Sequence, residues 1–296
     1  MRVPGSPAVI SYPVSCERSI VGEDTLKSHT QTARVGDLDI RYTLTGEGHP
    51  LVLIIGLLGS TDWWEPAFID SLARRYRVLV FDNRGAGNTV TPDDTKITIP
   101  LMAGDTAGLM DAVGFKSAYV LGFSMGGMIA QELTLLYPEK VEKLALCSTN
   151  CGKGGSVFAG RDVLKKLADR SGTPVEQVER FCSLFFCEEW LEIHGEDGEE
   201  FMNRYLESPA NDHNATLQFM AMVTFAACER LPRIEVPTLV ACGTGDLLLP
   251  PENSKIIQDR IPGSRLVMYE GAGHGIMWER REDFLRDLVA FLEDEA

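Results

Sequence analysis

The segment AYVLGFSMGGMIAQEL, residues 118–133, decides the fold. Its first residues are an apolar run that predicts a strand, and the residues after Gly127 predict a helix. Between them lies the pattern Gly122-Phe123-Ser124-Met125-Gly126, which predicts an abrupt turn. Glycines two residues to either side of Ser124 are needed when a serine adopts a strained backbone conformation against closely packed neighbours.

The predicted turn would lift the hydroxyl of Ser124 clear of the sheet. It would also aim the backbone N–H of Met125, at the N-terminus of the helix, toward an oxyanion forming above it. Strand, Gly-x-Ser-x-Gly turn and helix together are the pattern of a nucleophile elbow. A glycine-rich turn with an incidental serine is the alternative, because five-residue patterns also arise by chance. The surrounding elements therefore decide between the two interpretations.

The elements before the elbow alternate between strand and helix. Residues 34–44 contain two alternating runs around Gly36-Asp37 and predict an opening hairpin. The run LVLII at 51–55 is typical of a central parallel strand that is buried on both faces. A helix over 63–75, a strand over 77–81 and a helix over 99–113 follow, which predicts a mostly parallel sheet.

Two loops on this path are candidates for function. The first buried strand ends in a glycine-containing loop at 56–60, where we expect the N–H of Leu57 to be a second oxyanion donor. On its own, the same loop is equally well explained as a plain connection. The turn at 82–87, DNRGAG, either cradles a phosphate or is a sharp turn held by Asp82 and Arg84. Because the nucleotide-binding patterns are absent, we favour the turn.

A helical insertion follows the elbow and the next strand, and we define it as residues 150–231. The sequence predicts helices over 162–167, 175–186, 199–206 and 215–227, rich in phenylalanine and methionine. Most of these side chains would form the insertion's own core, and a minority would line a cavity over Ser124. Candidate pocket residues in and around the insertion are Leu58, Phe123, Trp190, Met222 and Leu248.

Strands over 237–242 and 265–269 complete the alternation, and a polar side chain follows each. Asp246 lies just past the first strand and His274 just past the second. A lone aspartate in a glycine-rich loop is usually a turn residue, and a lone histidine is usually polar filler. The order Ser124, Asp246, His274, each at the carboxyl end of a strand, is that of a hydrolase triad on this type of scaffold.

Composition limits the partners and the compartment. The formal net charge of −15 argues against nucleic acid or an anionic membrane surface as a partner. Seven cysteines without tight spacing favour neither a disulfide framework nor a zinc site, so we expect mostly reduced thiols and a cytoplasmic protein. No apolar run reaches membrane-spanning length, and the first thirty residues do not resemble a signal peptide. Residues 1–31 predict a loose N-terminal arm.

From about residue 35 to 292 the chain resembles the α/β-hydrolase superfamily, and within it the capped serine esterases and lactonases. The resemblance rests on the elbow, the turn at 82–87, and the loops of Asp246 and His274. It implies a mostly parallel sheet flanked by helices, with core residues 32–149 and 232–296 and the insertion as a cap before the last two strands.

The resemblance also implies roles: Ser124 as nucleophile, His274 as base and Asp246 as the acid that orients it. The chain departs from the family at Ile55-Gly56, where His-Gly is common. Because the expected oxyanion donor is the backbone N–H of Leu57, this exchange need not remove catalysis. A serine nucleophile argues against the dehalogenase and epoxide-hydrolase branches, which use a carboxylate.

These residues predict a carboxylesterase that forms an acyl-enzyme on small to medium apolar esters. The chemistry needs no cofactor and no metal. A lactonase, a carbon–carbon bond hydrolase and a cofactor-free perhydrolase remain as alternatives, because the fold does not choose between them. A ligand-binding receptor on the same scaffold is the alternative outside enzymes. The oligomeric state stays open, with a homodimer as one option.

Overall fold

The computed structural model describes residues 10–12, 29–92, 96–207 and 212–294. These residues form one nine-stranded sheet with the order β1-β9-β8-β7-β6-β4-β5-β3-β2. Only two of the eight strand pairs, β2–β3 and β3–β5, are antiparallel, which confirms the mostly parallel sheet. The strands are β1 Ile10–Tyr12, β2 His29–Val35, β3 Leu38–Thr45, β4 His49–Ile54, β5 Tyr76–Phe81, β6 Ala118–Phe123, β7 Val141–Cys147, β8 Thr238–Gly243 and β9 Arg265–Tyr269.

Successive side chains of a strand point to opposite faces of the sheet. Because both faces are apolar here, helices cover both of them. In β6, Val120 packs into the core on one face of the sheet, whereas its neighbour Leu121 packs into the core on the other face. Both cores are continuous and apolar, as expected of a sheet buried on two sides. The helices outside the insertion are α1 Pro66–Ala73, α2 Ile99–Ala112, α3 Met125–Leu136, α9 Glu252–Arg260, the short α10 Ile276–Glu279 and α11 Arg281–Glu293.

The insertion between β7 and β8 contains five helices in the described part of the chain. The sequence predicts four of them, with ends that differ by a few residues, and misses the helix Glu188–Ile193. That helix is only six residues long, too short for a clear apolar period. The five are α4 Arg161–Ala168, α5 Pro174–Phe185, α6 Glu188–Ile193, α7 Gly195–Glu207 and α8 Asp212–Thr224.

A disulfide joins the two ends of the insertion, and this corrects the expectation that no disulfide is favoured. Cys151 and Cys228 are bonded across a sequence separation of 77, and both are buried. The backbone pairs beside them, with the N–H of Ala227 donating to the carbonyl of Cys151 at 2.8 Å. The four other cysteines of the described residues are free thiols; Cys16 lies outside those residues. Spacing could not reveal this bond, because its partners meet only in the fold.

The N-terminal part of the sheet differs from the prediction. Strand β2 begins at His29, inside the predicted arm, and pairs with β3 along its length. Ile10–Tyr12 add a parallel edge strand to β9. The rest of the predicted arm lies outside the described residues. Every helix described here is too short or too polar to traverse a lipid bilayer.

Candidate active site

Ser124 lies between β6 and α3 with φ 55° and ψ −120°, the strained conformation that the glycine pattern predicts. A methyl group on Gly126 would overlap the carbonyl of Ile54, and one on Gly122 would overlap the carbonyl of Gly126. The tight packing of α3 on the sheet therefore requires glycine at both positions. Ser124 itself is only 8% exposed.

Asp246 and His274, 28 residues apart in sequence, form a buried pair. Oδ2 of Asp246 lies 2.7 Å from Nδ1 of His274, and the two side chains are 0% and 3% exposed. The other oxygen of Asp246 accepts hydrogen bonds from the amides of Leu248 and Leu249, at 2.9 and 2.8 Å. The carboxylate is therefore held in one orientation toward the imidazole.

The end of β7 ties the Ser124 loop to the His274 loop. The hydroxyl of Ser148 donates to the carbonyl of His274 at 2.9 Å, and that of Thr149 donates to the carbonyl of Ser124 at 2.7 Å. The ring of Phe123 also lies 5.0 Å from the imidazole, measured between ring centroids. Two adjacent hydroxyls thus hold the loops of the predicted nucleophile and base. Sequence reasoning missed both, since serine and threonine at a strand end are common.

The loop after β4 approaches Ser124 closely. A methyl group on Gly56 would lie 3.0 Å from Cβ of Ser124, and the amide of Gly59 donates to the carbonyl of Gly56 at 3.2 Å to close a turn. Among the described residues, neither the Leu57 N–H nor the Met125 N–H has a hydrogen-bond acceptor. One of these amides lies on the loop after β4 and the other at the first residue of α3, directly after Ser124. Unpaired amides of this kind are the donors that an oxyanion hole requires.

The turn at 82–87 supports the loop after β4 through two side chains. Asp82 accepts a hydrogen bond from the amide of Thr61 at 2.6 Å, and Asn83 donates to the carbonyl of Ile55 at 3.1 Å. The guanidinium of Arg84 is buried against Asp105 and Asp37. The interpretation as a turn held by Asp82 and Arg84 agrees with these contacts.

The insertion contacts the loop after β4, residues 56–60, through Gln218, which sequence reasoning did not single out. This side chain of α8 is fully buried. It accepts a hydrogen bond from the amide of Leu58 at 2.9 Å and donates to the carbonyl of Arg84 at 2.7 Å. A lone glutamine on a helix gives no signal in the sequence, because its partners are far away along the chain.

The insertion contacts the His274 loop through Glu279. Its carboxylate accepts hydrogen bonds from the amides of Gly273 at 2.9 Å and Cys187 at 3.2 Å. The amide of Gly275 donates to the carbonyl of Phe185 at 3.0 Å. Burial raises the pKa of Glu279 above its usual range, and the hydrogen bonds from Cys187 and Gly273 only partly oppose this. Sequence reasoning also missed the role of Glu279, because it lies in a charged segment that is typical of a solvent-exposed helix.

The candidate pocket residues occupy different surroundings. Phe123 is buried beside His274 and Phe185, and Leu58 is half-buried in the loop after β4. Trp190 stacks on Phe186 at 4.6 Å, in a buried cluster that the insertion shares with one face of the sheet. Met222 and Leu248 are half-buried at the edges of the two sheet cores. Thus Phe123 and Leu58 lie at the site, and Trp190 packs where the insertion meets one face of the sheet.

Comparison with known proteins agrees with this architecture. Residues 49–281 match the family model described as alpha/beta hydrolase fold. A mostly parallel sheet, an elbow serine and a buried Asp–His pair at the carboxyl edge fit that class. The chain belongs to the α/β-hydrolase family.

Three relatives illustrate the range of chemistry among similar proteins. The "Putative carbamate hydrolase RutD" of Azorhizobium caulinodans is 30% identical, with 88% of this chain and 97% of the relative covered. The enol-lactonase of Burkholderia xenovorans is 25% identical, with a TM-score of 0.77, and 89% of this chain and 100% of that chain are covered. An esterase from Exiguobacterium antarcticum is 27% identical with the same TM-score, and the coverage is 90% and 100%.

Proposed function

We propose that the protein is a serine hydrolase that cleaves carboxylic esters through an acyl-enzyme. The observation that carries the proposal is the buried Asp246–His274 pair at 2.7 Å, on loops tied to the Ser124 elbow through Ser148 and Thr149. A serine hydroxyl is a weak nucleophile, so it needs a base held in one tautomer. A histidine whose Nδ1–H donates to Asp246 leaves its Nε2 able to accept a proton.

In the proposed reaction the same groups act in both half-cycles. The hydroxyl of Ser124 attacks the ester carbonyl while His274 takes its proton and Asp246 stabilises the resulting imidazolium. The amides of Leu57 and Met125 stabilise the oxyanion. His274 then gives its proton to the leaving alcohol, and a water molecule repeats the sequence on the acyl-enzyme to release the acid.

The substrate would be small to medium in size and apolar. In this proposal residues 150–231 act as a cap over residues 32–149 and 232–296. Two aromatic side chains beside His274 support an apolar pocket: Phe123 and Phe185 lie against its ring, at 5.0 and 5.3 Å between centroids. A charged substrate would lose its hydration among such groups without a matching charge.

Lactone hydrolysis is the second candidate. It uses the same triad and oxyanion hole, and the likeness to an enol-lactonase over 100% of that chain favours it. The likeness to a protein named for carbamate hydrolysis adds a carbamate to the substrates worth testing. These reactions differ in the acyl group and not in the catalytic residues, so measurements of turnover must separate them.

The test is hydrolysis of p-nitrophenyl esters from acetate to laurate, with an enol-lactone and a carbamate in parallel. Ser124→Ala is compared with Ser71→Ala, which changes an exposed serine on α1. Sustained turnover in the wild type and in Ser71→Ala, lost in Ser124→Ala, is expected. Turnover of the lactone alone would favour the second candidate. A single stoichiometric burst, or full activity in Ser124→Ala, would contradict the proposed hydrolase.

The cytoplasmic location and a homodimer stay predictions. Free thiols at four described cysteines are compatible with a reducing compartment, whereas a disulfide such as Cys151–Cys228 is more typical of an oxidising one.

A further inference from the structure

One side chain of the insertion connects two loops beside the proposed active site. Gln218 accepts from the amide of Leu58 at 2.9 Å and donates to the carbonyl of Arg84 at 2.7 Å. The first partner can only donate and the second can only accept, so a single orientation of the side-chain amide satisfies both. Gln218 itself is fully buried, and its bond to the carbonyl of Arg84 is buried with it.

Leu58 needs such a partner because its backbone is strained. Its φ is 61°, in the left-handed region that leucine rarely adopts. It is the third residue of the turn closed by Gly59 and Gly56, a position where positive φ normally selects glycine or asparagine. A strained residue of this kind persists only where its surroundings enforce it. Gln218 supplies the contact to its amide.

The other end of the bridge is rigid. The carbonyl that accepts from Gln218 belongs to Arg84, whose guanidinium is buried. Nε of Arg84 lies 2.7 Å from Asp105, and Nη2 lies 2.8 Å from Asp37. Gln218 therefore links a strained turn to a fixed point of the sheet domain.

We propose that Gln218 is a positioning residue for the oxyanion hole. By holding Leu58 in its strained conformation, it fixes the turn that presents the neighbouring amide of Leu57. Since Gln218 belongs to α8, the hole is complete only when this helix of the insertion is docked on the sheet domain. The inference rests on the proposed ester hydrolysis, in which the Leu57 amide stabilises the oxyanion.

The test is a double-mutant cycle between positions 218 and 58. Gln218→Met keeps the length of the side chain and removes both hydrogen bonds. We expect kcat for p-nitrophenyl esters to fall at least about tenfold with KM within about threefold, because an oxyanion donor acts on the transition state. Leu58→Gly removes the strain, since glycine adopts positive φ freely. In that background Gln218→Met should lower kcat less than about threefold.

Gln131→Met is the matched control. Gln131 is also a fully buried glutamine that donates to a backbone carbonyl, and its acceptor is Asn150 instead of Arg84. This variant should lose stability and keep kcat within about threefold of wild type. Should Gln218→Met fail to fold, Gln218→Asn replaces it. Asparagine keeps a buried amide but is too short to reach both partners, so the same loss of kcat and the same rescue by Leu58→Gly are expected.

Two outcomes overturn the inference. In the first, the variant at Gln218 keeps the kcat of wild type. In the second, the change at Gln218 lowers kcat equally whether position 58 is leucine or glycine. Either leaves the proposed function intact as long as the wild type turns over esters and Ser124→Ala does not. If the wild type hydrolyses no ester, the proposed function fails first and the inference fails with it.

Discussion

Oδ2 of Asp246 lies 2.7 Å from Nδ1 of His274, and both side chains are sealed from solvent. The amides of Leu248 and Leu249 occupy the other oxygen of this carboxylate. These two backbone amides can only donate hydrogen bonds, so this oxygen cannot be replaced by an NH₂ group without losing both.

Asp246→Asn should reduce kcat by about 10³- to 10⁴-fold while leaving the protein folded. An asparagine must point its NH₂ group either at the two amides or at the imidazole, and the second choice stabilises the wrong tautomer of His274. The measurement is ester turnover beside a thermal unfolding curve. Asp162→Asn, at a side chain that is 99% exposed on α4, is the control and should behave as wild type. Comparable kcat in the two variants would contradict the role of Asp246.

Glu279→Gln should lower kcat about tenfold or more with little change in KM. Two backbone amides donate to the carboxylate, so glutamine loses one bond and points an NH₂ group at a donor. The Gly273 amide lies one residue before His274, and a small displacement of a catalytic base is costly. The exposed Glu252→Gln on α9 is the control. An unchanged kcat in Glu279→Gln would show that the loop needs no such support.

The stability of wild type and that of Glu279→Gln should also differ in their dependence on pH. Burial raises the pKa of Glu279 in the folded protein above that of the unfolded chain. Its contribution to stability is therefore complete in acid and is lost as the pH rises through the raised pKa. Glutamine does not titrate, so the free energy of unfolding of wild type relative to Glu279→Gln should fall as the pH rises through this range. Urea unfolding at several pH values measures it; a difference that grows with pH would refute the assignment.

The sheet and the elbow could be predicted because their signals are local. The run at 51–55 and the glycines around Ser124 are complete within a few residues, and both report on close packing against the sheet. The order of Ser124, Asp246 and His274 adds topology to that local signal. Parallel strands bring their carboxyl ends to one edge, so the sequence also predicts that Asp246 and His274 meet there.

The supports of the site could not be predicted, because they depend on contacts far apart in the chain. Gln218 and Leu58 are 160 residues apart, and Cys187 and Glu279 are 92 apart. Polar side chains such as these follow no apolar period, and each has a common role on a helix surface. The disulfide was missed for the same reason. Only the packing of the insertion on the sheet domain brings these partners together.

Gly126→Ala should reduce the free energy of unfolding by at least about 2 kcal/mol or prevent folding. The added methyl group would overlap the backbone carbonyls of Ile54 and Ile55, which belong to the central region of the sheet and cannot move aside. Gly195→Ala on α7 is the control, since a methyl group there meets no atom within 4 Å. Urea unfolding compares the two. Equal stability would mean that α3 is packed less closely on β4 than the structure indicates.

Cys151→Ala combined with Cys228→Ala should destabilise the protein by about 2–4 kcal/mol. The bond closes a loop with a sequence separation of 77, so its loss returns conformational freedom to the unfolded chain. The measurement is the urea midpoint after unfolding and refolding with and without reductant. Reductant should lower the midpoint of wild type toward that of the double variant and should not move the variant, because the other described cysteines are free thiols. A wild-type midpoint that reductant leaves unchanged would show that this bond does not stabilise the insertion.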